Sequence, residues 1–187
     1  MVSKPAASEQ RPAEQWLKQY YYARAAFAIA WVAAASTVAK DAWGVAAVLL
    51  VLYPLWDAVA NFADAARSGG LARNRTQAGN VIASLIVTAA VALSLSDMHR
   101  VLAIFGAWAI LSGLFQLGTG VRRWRTSGAQ WTMILSGAQS ALAGAFFIAQ
   151  ARMPAMPSIA TITGYAGFGA FYFLLSALLL SVRARRA

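Results

Sequence analysis

The stretch Trp43-Gly-Val-Ala-Ala-Val-Leu-Leu-Val-Leu-Tyr-Pro-Leu-Trp-Asp-Ala-Val-Ala-Asn-Phe-Ala-Asp64 is an apolar helix that turns polar before it ends. At 1.5 Å per residue it is long enough to cross a hydrocarbon core of roughly 30 Å. Asp57, Asn61 and Asp64 stand at i, i+4 and i+7, so a helix places them on one face. Pro54, just upstream, is the only proline inside a long apolar segment. It has no N–H and leaves the Leu50 carbonyl short of its usual donor. Such a stripe is costly in lipid unless another helix supplies partners.

The whole chain shares this character. Its 187 residues are 60% hydrophobic and 12% charged, where a soluble domain carries roughly 25% charged residues. The net charge of +10 raises nucleic acid as a partner, but the basic residues cluster between apolar runs, as in loops that flank a bilayer. The expected partner is therefore the lipid bilayer and not nucleic acid. A homo-oligomer or a membrane-protein partner is left open.

Catalysis lacks the residue types it needs. There is no cysteine, and His99 is the only histidine, so thiolate chemistry and a His-rich metal site are excluded. Ser68-Gly-Gly70 lacks the lysine of a phosphate-cradling loop. Asp57 and Asp64 on one helix are separated by roughly 10 Å of rise, too far to share a water as a protease dyad. The expectation is a protein with no catalytic residues, no metal and no cofactor. His99 lies in a short polar loop, where it reads first as a solvated side chain and second as an acid sensor.

The pattern predicts an all-α integral membrane protein, a six-helix bundle with spans at about 20–39, 43–63, 77–96, 101–121, 130–150 and 158–182. Residues 1–19 form a polar tail that becomes a short helix near Trp16, and 183–187 form a basic tail. A signal peptide fits poorly, because the leader holds acids and its apolar run exceeds the roughly 7–15 residues of such a segment. Thirteen basic residues fall on the side of the termini and of loops 64–76 and 122–129, with Arg24 counted there. Only Lys40, Arg100 and Arg152 fall on the other side. That asymmetry places both termini in the cytoplasm.

The outer connections are short, which predicts three helical hairpins: spans 1–2, 3–4 and 5–6. A faint repeat supports duplication of a two-helix unit. Phe105-Gly-Ala-Trp and Phe168-Gly-Ala-Phe begin similar stretches that end in Val121-Arg122 and Val182-Arg183, and the spans before them open with Gln77 and Gln130. Close packing is expected at Ser136, Ser140 and Gly144 on the fifth span and at Gly106 and Gly113 on the fourth. Gly164, Gly167 and Gly169 read the same way on the sixth.

Depth groups the polar residues. Asp57 lies roughly 21 Å from the outer end of its span, and Arg24 is roughly 6 Å deep from the inner end of the first. Arg24, Asp57, Asn61, Asp64, Asn80 and Gln116 thus form a candidate polar cluster in the cytoplasmic half, with Gln139 near mid-span. Two readings are open: a lock between the first two spans, or a cytoplasm-facing pocket where Asp57 binds a proton or a cation.

The stretches Gly106-Ala-Trp-Ala-Ile-Leu-Ser-Gly-Leu-Phe-Gln-Leu-Gly-Thr-Gly-Val-Arg-Arg-Trp124 and Gln130-Trp-Thr-Met-Ile-Leu-Ser-Gly-Ala-Gln-Ser-Ala-Leu-Ala-Gly144 carry a resemblance. Together with six short spans, they are similar to the HdeD-type family of small bacterial inner-membrane proteins, built from short hydrophobic repeats of unknown function. The resemblance covers residues 77–185 well and 20–64 less well, and the Trp56-Asp57 segment looks like a subfamily feature. It implies a bacterial inner-membrane location, an envelope or acid-stress role, and no catalytic residues. The alternative is a small transporter or channel with its polar site at Asp57.

Overall fold

Long runs of alanine, leucine and aromatic residues, broken only by short polar segments, make six helices. They are α1 (Ala7–Thr37), α2 (Trp43–Arg67), α3 (Arg75–Leu93), α4 (Met98–Arg123), α5 (Gln130–Gln150) and α6 (Ile159–Arg186). The computed structural model describes residues 7–123 and 130–186. Lys4 and Arg125, counted among the basic residues above, lie outside the described part. The expected N-terminal tail is helical from Ala7 and runs without a break into the first span. At the other end, the last helix continues through Arg183 to Arg186.

Helices α2, α3, α4 and α6 contain stretches long and apolar enough to cross a membrane, by length and composition. In α1, tyrosines, many alanines and Arg24 take the place of leucine, and in α5 the described apolar stretch is the shorter Ile134–Gln150. The outward faces are apolar throughout: Val48 and Phe62 on α2, Ile82, Ile86 and Leu93 on α3, Leu114 on α4 and Phe171 on α6 are all more than half exposed. So large an apolar surface is foreign to water-soluble monomers.

Each helix packs on its neighbours in chain order, and α1 packs on α6, so the six close into a ring. The expected hairpins do not describe the closest packing. The intimate pairs are α4 with α5, α1 with α6 and α2 with α3, while helices joined by the short turns touch less. A short turn fixes only the ends of two helices; side-chain size sets how near they come along their length. Buried Ala25 and Ala28 on α1 and Ala170 and Ala177 on α6 are small residues of that kind.

The apolar core sits at the end of the ring that carries the short turns. Trp31, Ala39, Leu50, Val91, Leu102, Phe105 and Ile162 fill it, and Met98 and Ile159 close it from the helix starts. Asp97 fixes one of those starts. Its Oδ1 accepts the backbone N–H groups of His99 at 3.0 Å and Arg100 at 3.2 Å, an N-cap on α4. Asp97→Ala is expected to cost about 1 kcal/mol in an unfolding titration; an unchanged midpoint would mean the cap is idle. His99 is not merely a solvated side chain, because its Nδ1 lies 3.1 Å from the Ala151 carbonyl and ties α4 to the turn before α6. At the opposite end, Gly69 and Gly70 take positive φ (94° and 87°) and turn α2 back into α3.

Candidate functional site

The polar stripe of α2 finds its partners on two other helices, α1 and α3, and reaches α4 through one of them. Arg24 of α1 forms an ion pair with Asp57 Oδ1. Asp57 Oδ2 accepts Asn61 Nδ2 at 3.0 Å and Ser84 Oγ of α3 at 2.8 Å. Ser84, itself buried, accepts the indole N–H of Trp108 on α4 at 3.2 Å. The Arg24 guanidinium also donates to Tyr20 Oη at 2.9 Å and lies 4.3 Å from the centre of the Phe173 ring on α6. Both carboxylate oxygens of Asp57 are thus occupied, and the pair is only 14% and 16% exposed. That is the geometry of a lock joining α1, α2 and α3 rather than of an open cation site.

The remaining predicted residues scatter. Asp64 joins a second knot nearer the helix ends, accepting Trp16 Nε1 at 3.3 Å and Gln77 Nε2 at 3.2 Å. Arg67 stacks over the Trp16 ring there, 4.6 Å from its centre. Asn80 bonds to neither Arg24 nor Asp57: Ser84 is level with Asp57 and Gln77 with Asp64, so Asn80 stands one turn from Asp57, nearer the α2–α3 turn. Gln116 faces α5, where Ser136 Oγ donates to its Oε1 at 3.3 Å. Ser140 donates to the Ala109 carbonyl at 2.9 Å, so the small-residue ridge of α5 does face a helix, α4. A β-carbon added at Gly113 would lie 2.5 Å from the Gly137 carbonyl oxygen, and one at Gly106 would lie 2.8 Å from that of Gly144. The α6 glycines behave otherwise: a β-carbon at Gly164 or Gly167 meets nothing within 4 Å, and one at Gly169 meets only Tyr53 Oη at 3.5 Å. They are not packing ridges.

Gly164 and Gly169 instead border a cavity of about 520 Å³ inside the ring, lined by α1, α2, α4, α5 and α6. Its polar groups include Gln116, Gln139 and the Arg24–Asp57 pair, and Tyr172 Oη donates to Gln139 Oε1 at 2.7 Å. Aromatic rings make most of the rest. Phe27 stacks on Trp56 at 4.7 Å, and Tyr53 meets Trp108 edge-on at 5.9 Å. Tyr165 Oη lies 3.0 Å from Ser140 Oγ on the same wall. The indole N–H of Trp56 and the Arg24 Nε are buried with no partner among the described residues. The cavity has no direct sequence signal, since it arises where α6 presents glycine to α1 and α5.

A family described as a short repeat of unknown function (DUF308) has a model that matches residues 81–149, which run from within α3 through α4 to the end of α5. No curated protein and no solved structure matches the chain. The match and the four apolar helices together point to a membrane protein, and the family description assigns no activity.

Proposed function

We propose that the chain is a multi-pass protein of a bacterial inner membrane, with six spans and both termini cytoplasmic, and that it binds a small molecule inside its helical ring without catalysing a reaction. One observation carries the binding reading: a cavity of about 520 Å³ with convergent amide and hydroxyl groups, enclosed by a bundle whose outside is apolar. Its size falls within the roughly 300–1,000 Å³ of small-molecule sites. The absence of cysteine and the position of the only histidine at an outer turn favour binding over chemistry. The full set of partners on Asp57 favours a structural part for that residue. Transport of the bound molecule is the second reading. It is supported by the reach of the cavity along α6, from Thr161 to Phe173, which is about 18 Å. The envelope or acid-stress role rests on the HdeD-type resemblance rather than on any residue of the ring.

Two measurements test this. Reporter fusions should give a cytoplasmic signal at residue 70 and an external one at residue 98; a cytoplasmic signal at 98 overturns the six-span topology. Native mass spectrometry of protein released from membranes should show a bound mass that disappears in Gly169→Leu, which fills the cavity. A wild-type spectrum with no cavity-dependent mass would end the binding reading.

A further inference from the structure

The mouth of the cavity tells what kind of molecule fits. Among the six neighbouring helix contacts that close the ring, the one between α5 and α6 is the thinnest. Leu142, Phe146 and Phe168 line the cavity there, yet they are 72%, 54% and 56% exposed. Residues that both border the interior and face outward mark an opening, and this one lies on the side of the bundle, along the helices, not at an end. Gly164 stands beside it with open space around its α-carbon. In a bilayer, a mouth so placed opens onto acyl chains.

The interior restricts the head of such a molecule. Among the described residues Arg24 is the cation on the cavity wall; Asp57 already neutralises it, Tyr20 and the Phe173 ring lie against it, and only its Nε is left without a partner. An anionic head at the free Nε would bring a second negative charge beside the Asp57 carboxylate, around a cation whose charge is already balanced, which costs more than it returns. The glutamines offer a different chemistry. The carbonyl oxygen of Gln116 accepts from Ser136 and that of Gln139 from Tyr172. Neither amide N–H₂ has a protein partner among the described residues. What the pair presents is therefore two uncharged donors, which call for an uncharged acceptor.

We propose that the seam between α5 and α6 admits a neutral, carbonyl-bearing amphiphile from the bilayer, its head at Gln116 and Gln139 and its hydrocarbon between Leu142, Phe146 and Phe168. This rests on the cavity-binding reading above and adds the route and the ligand class. An acyl ester such as a monoacylglycerol and a prenylated quinone share that chemistry.

The test uses the full chain in phospholipid nanodiscs and a monoacylglycerol with a diazirine in its acyl chain. Irradiation should label seam peptides of α5 and α6. Labelling should fall to background in Gly164→Phe, which plugs the mouth, and persist in Gly167→Phe, which adds the same bulk on the same helix at a position that does not line the cavity. The double variant Gln116→Leu/Gln139→Leu should reduce labelling about tenfold, as for two membrane hydrogen bonds, while a headgroup-free alkyl diazirine labels it as it labels wild type. Competition by unlabelled monoacylglycerol or by a prenylated benzoquinone identifies the source; competition by neither overturns the ligand class. Labelling spread evenly over the outer faces of α2 and α3, or unchanged in Gly164→Phe, overturns the route. If the bound mass is nonetheless lost in Gly169→Leu, the seam proposal falls while the cavity-binding reading stands.

Discussion

Asp57→Ala is expected to destabilise the protein by about 3–5 kcal/mol, the cost of breaking a buried ion pair from one side. Hydrogen bonds alone would not reach that figure. Interhelical hydrogen bonds in a bilayer average only about 0.6 kcal/mol, because the separated helices find other partners. The larger part comes from the charge left behind. Without Asp57 the Arg24 guanidinium keeps Tyr20 and the Phe173 ring but no counter-charge, and Ser84 and Asn61 lose a shared acceptor. Arg24→Ala should cost less, since Asp57 still accepts from Asn61 and Ser84. Asp57→Asn should be the mildest, because its amide oxygen still accepts from neighbouring donors. The check is a double-mutant cycle by SDS-induced unfolding in mixed micelles. Removing both residues should cost less than the sum of the single changes, by about 1–3 kcal/mol. Strict additivity would mean that the two side chains do not hold the helices together and that the lock lies elsewhere.

That pair also shows how far the sequence could be read. The rise per residue gives depth along a helix, so the level shared by Arg24 and Asp57 was legible, and the i+4 spacing placed Asn61 beside them. Depth says nothing about which way a side chain faces around the ring. Gln116 therefore turns to α5 instead, and Asn80, on the same face of α3 as Ser84, stands one turn off the level of Asp57. Ser84 and Trp108, which carry no charge, gave no signal although they complete the network. The small-residue rule worked where small residues oppose one another, as Gly106 does Gly144 and Gly113 does Gly137. It misread α6, whose glycines border empty space. The pattern for close packing and the pattern for a cavity wall are the same in one helix; only the facing helix tells them apart. Loop length likewise revealed which helices are joined but not which pack most closely.

The opposed glycines make a second sharp expectation, because the same substitution should act in opposite directions at two sites. In a helix interior, alanine is favoured over glycine by roughly 1 kcal/mol. At Gly164 nothing opposes that gain, since an added methyl meets no atom within 4 Å, so Gly164→Ala should stabilise the protein slightly. At Gly113 the methyl would lie 2.5 Å from the Gly137 carbonyl oxygen and 2.7 Å from the Ala141 backbone nitrogen. Both are main-chain atoms that cannot rotate aside, so α4 and α5 must separate. Overpacking of this kind costs about 1–3 kcal/mol, which outweighs the propensity gain. Separation would also weaken the Ser140 bond to the Ala109 carbonyl and the Ser136 bond to Gln116, and no hydrophobic force would draw the helices back in lipid. Gly144→Ala, against Gly106 and Ile110, should behave as Gly113→Ala does. The SDS unfolding assay reads all three variants on one scale. If Gly113→Ala and Gly164→Ala shift the midpoint in the same direction, the α4–α5 interface is not held at backbone contact, and the distinction between a packing glycine and a cavity glycine fails.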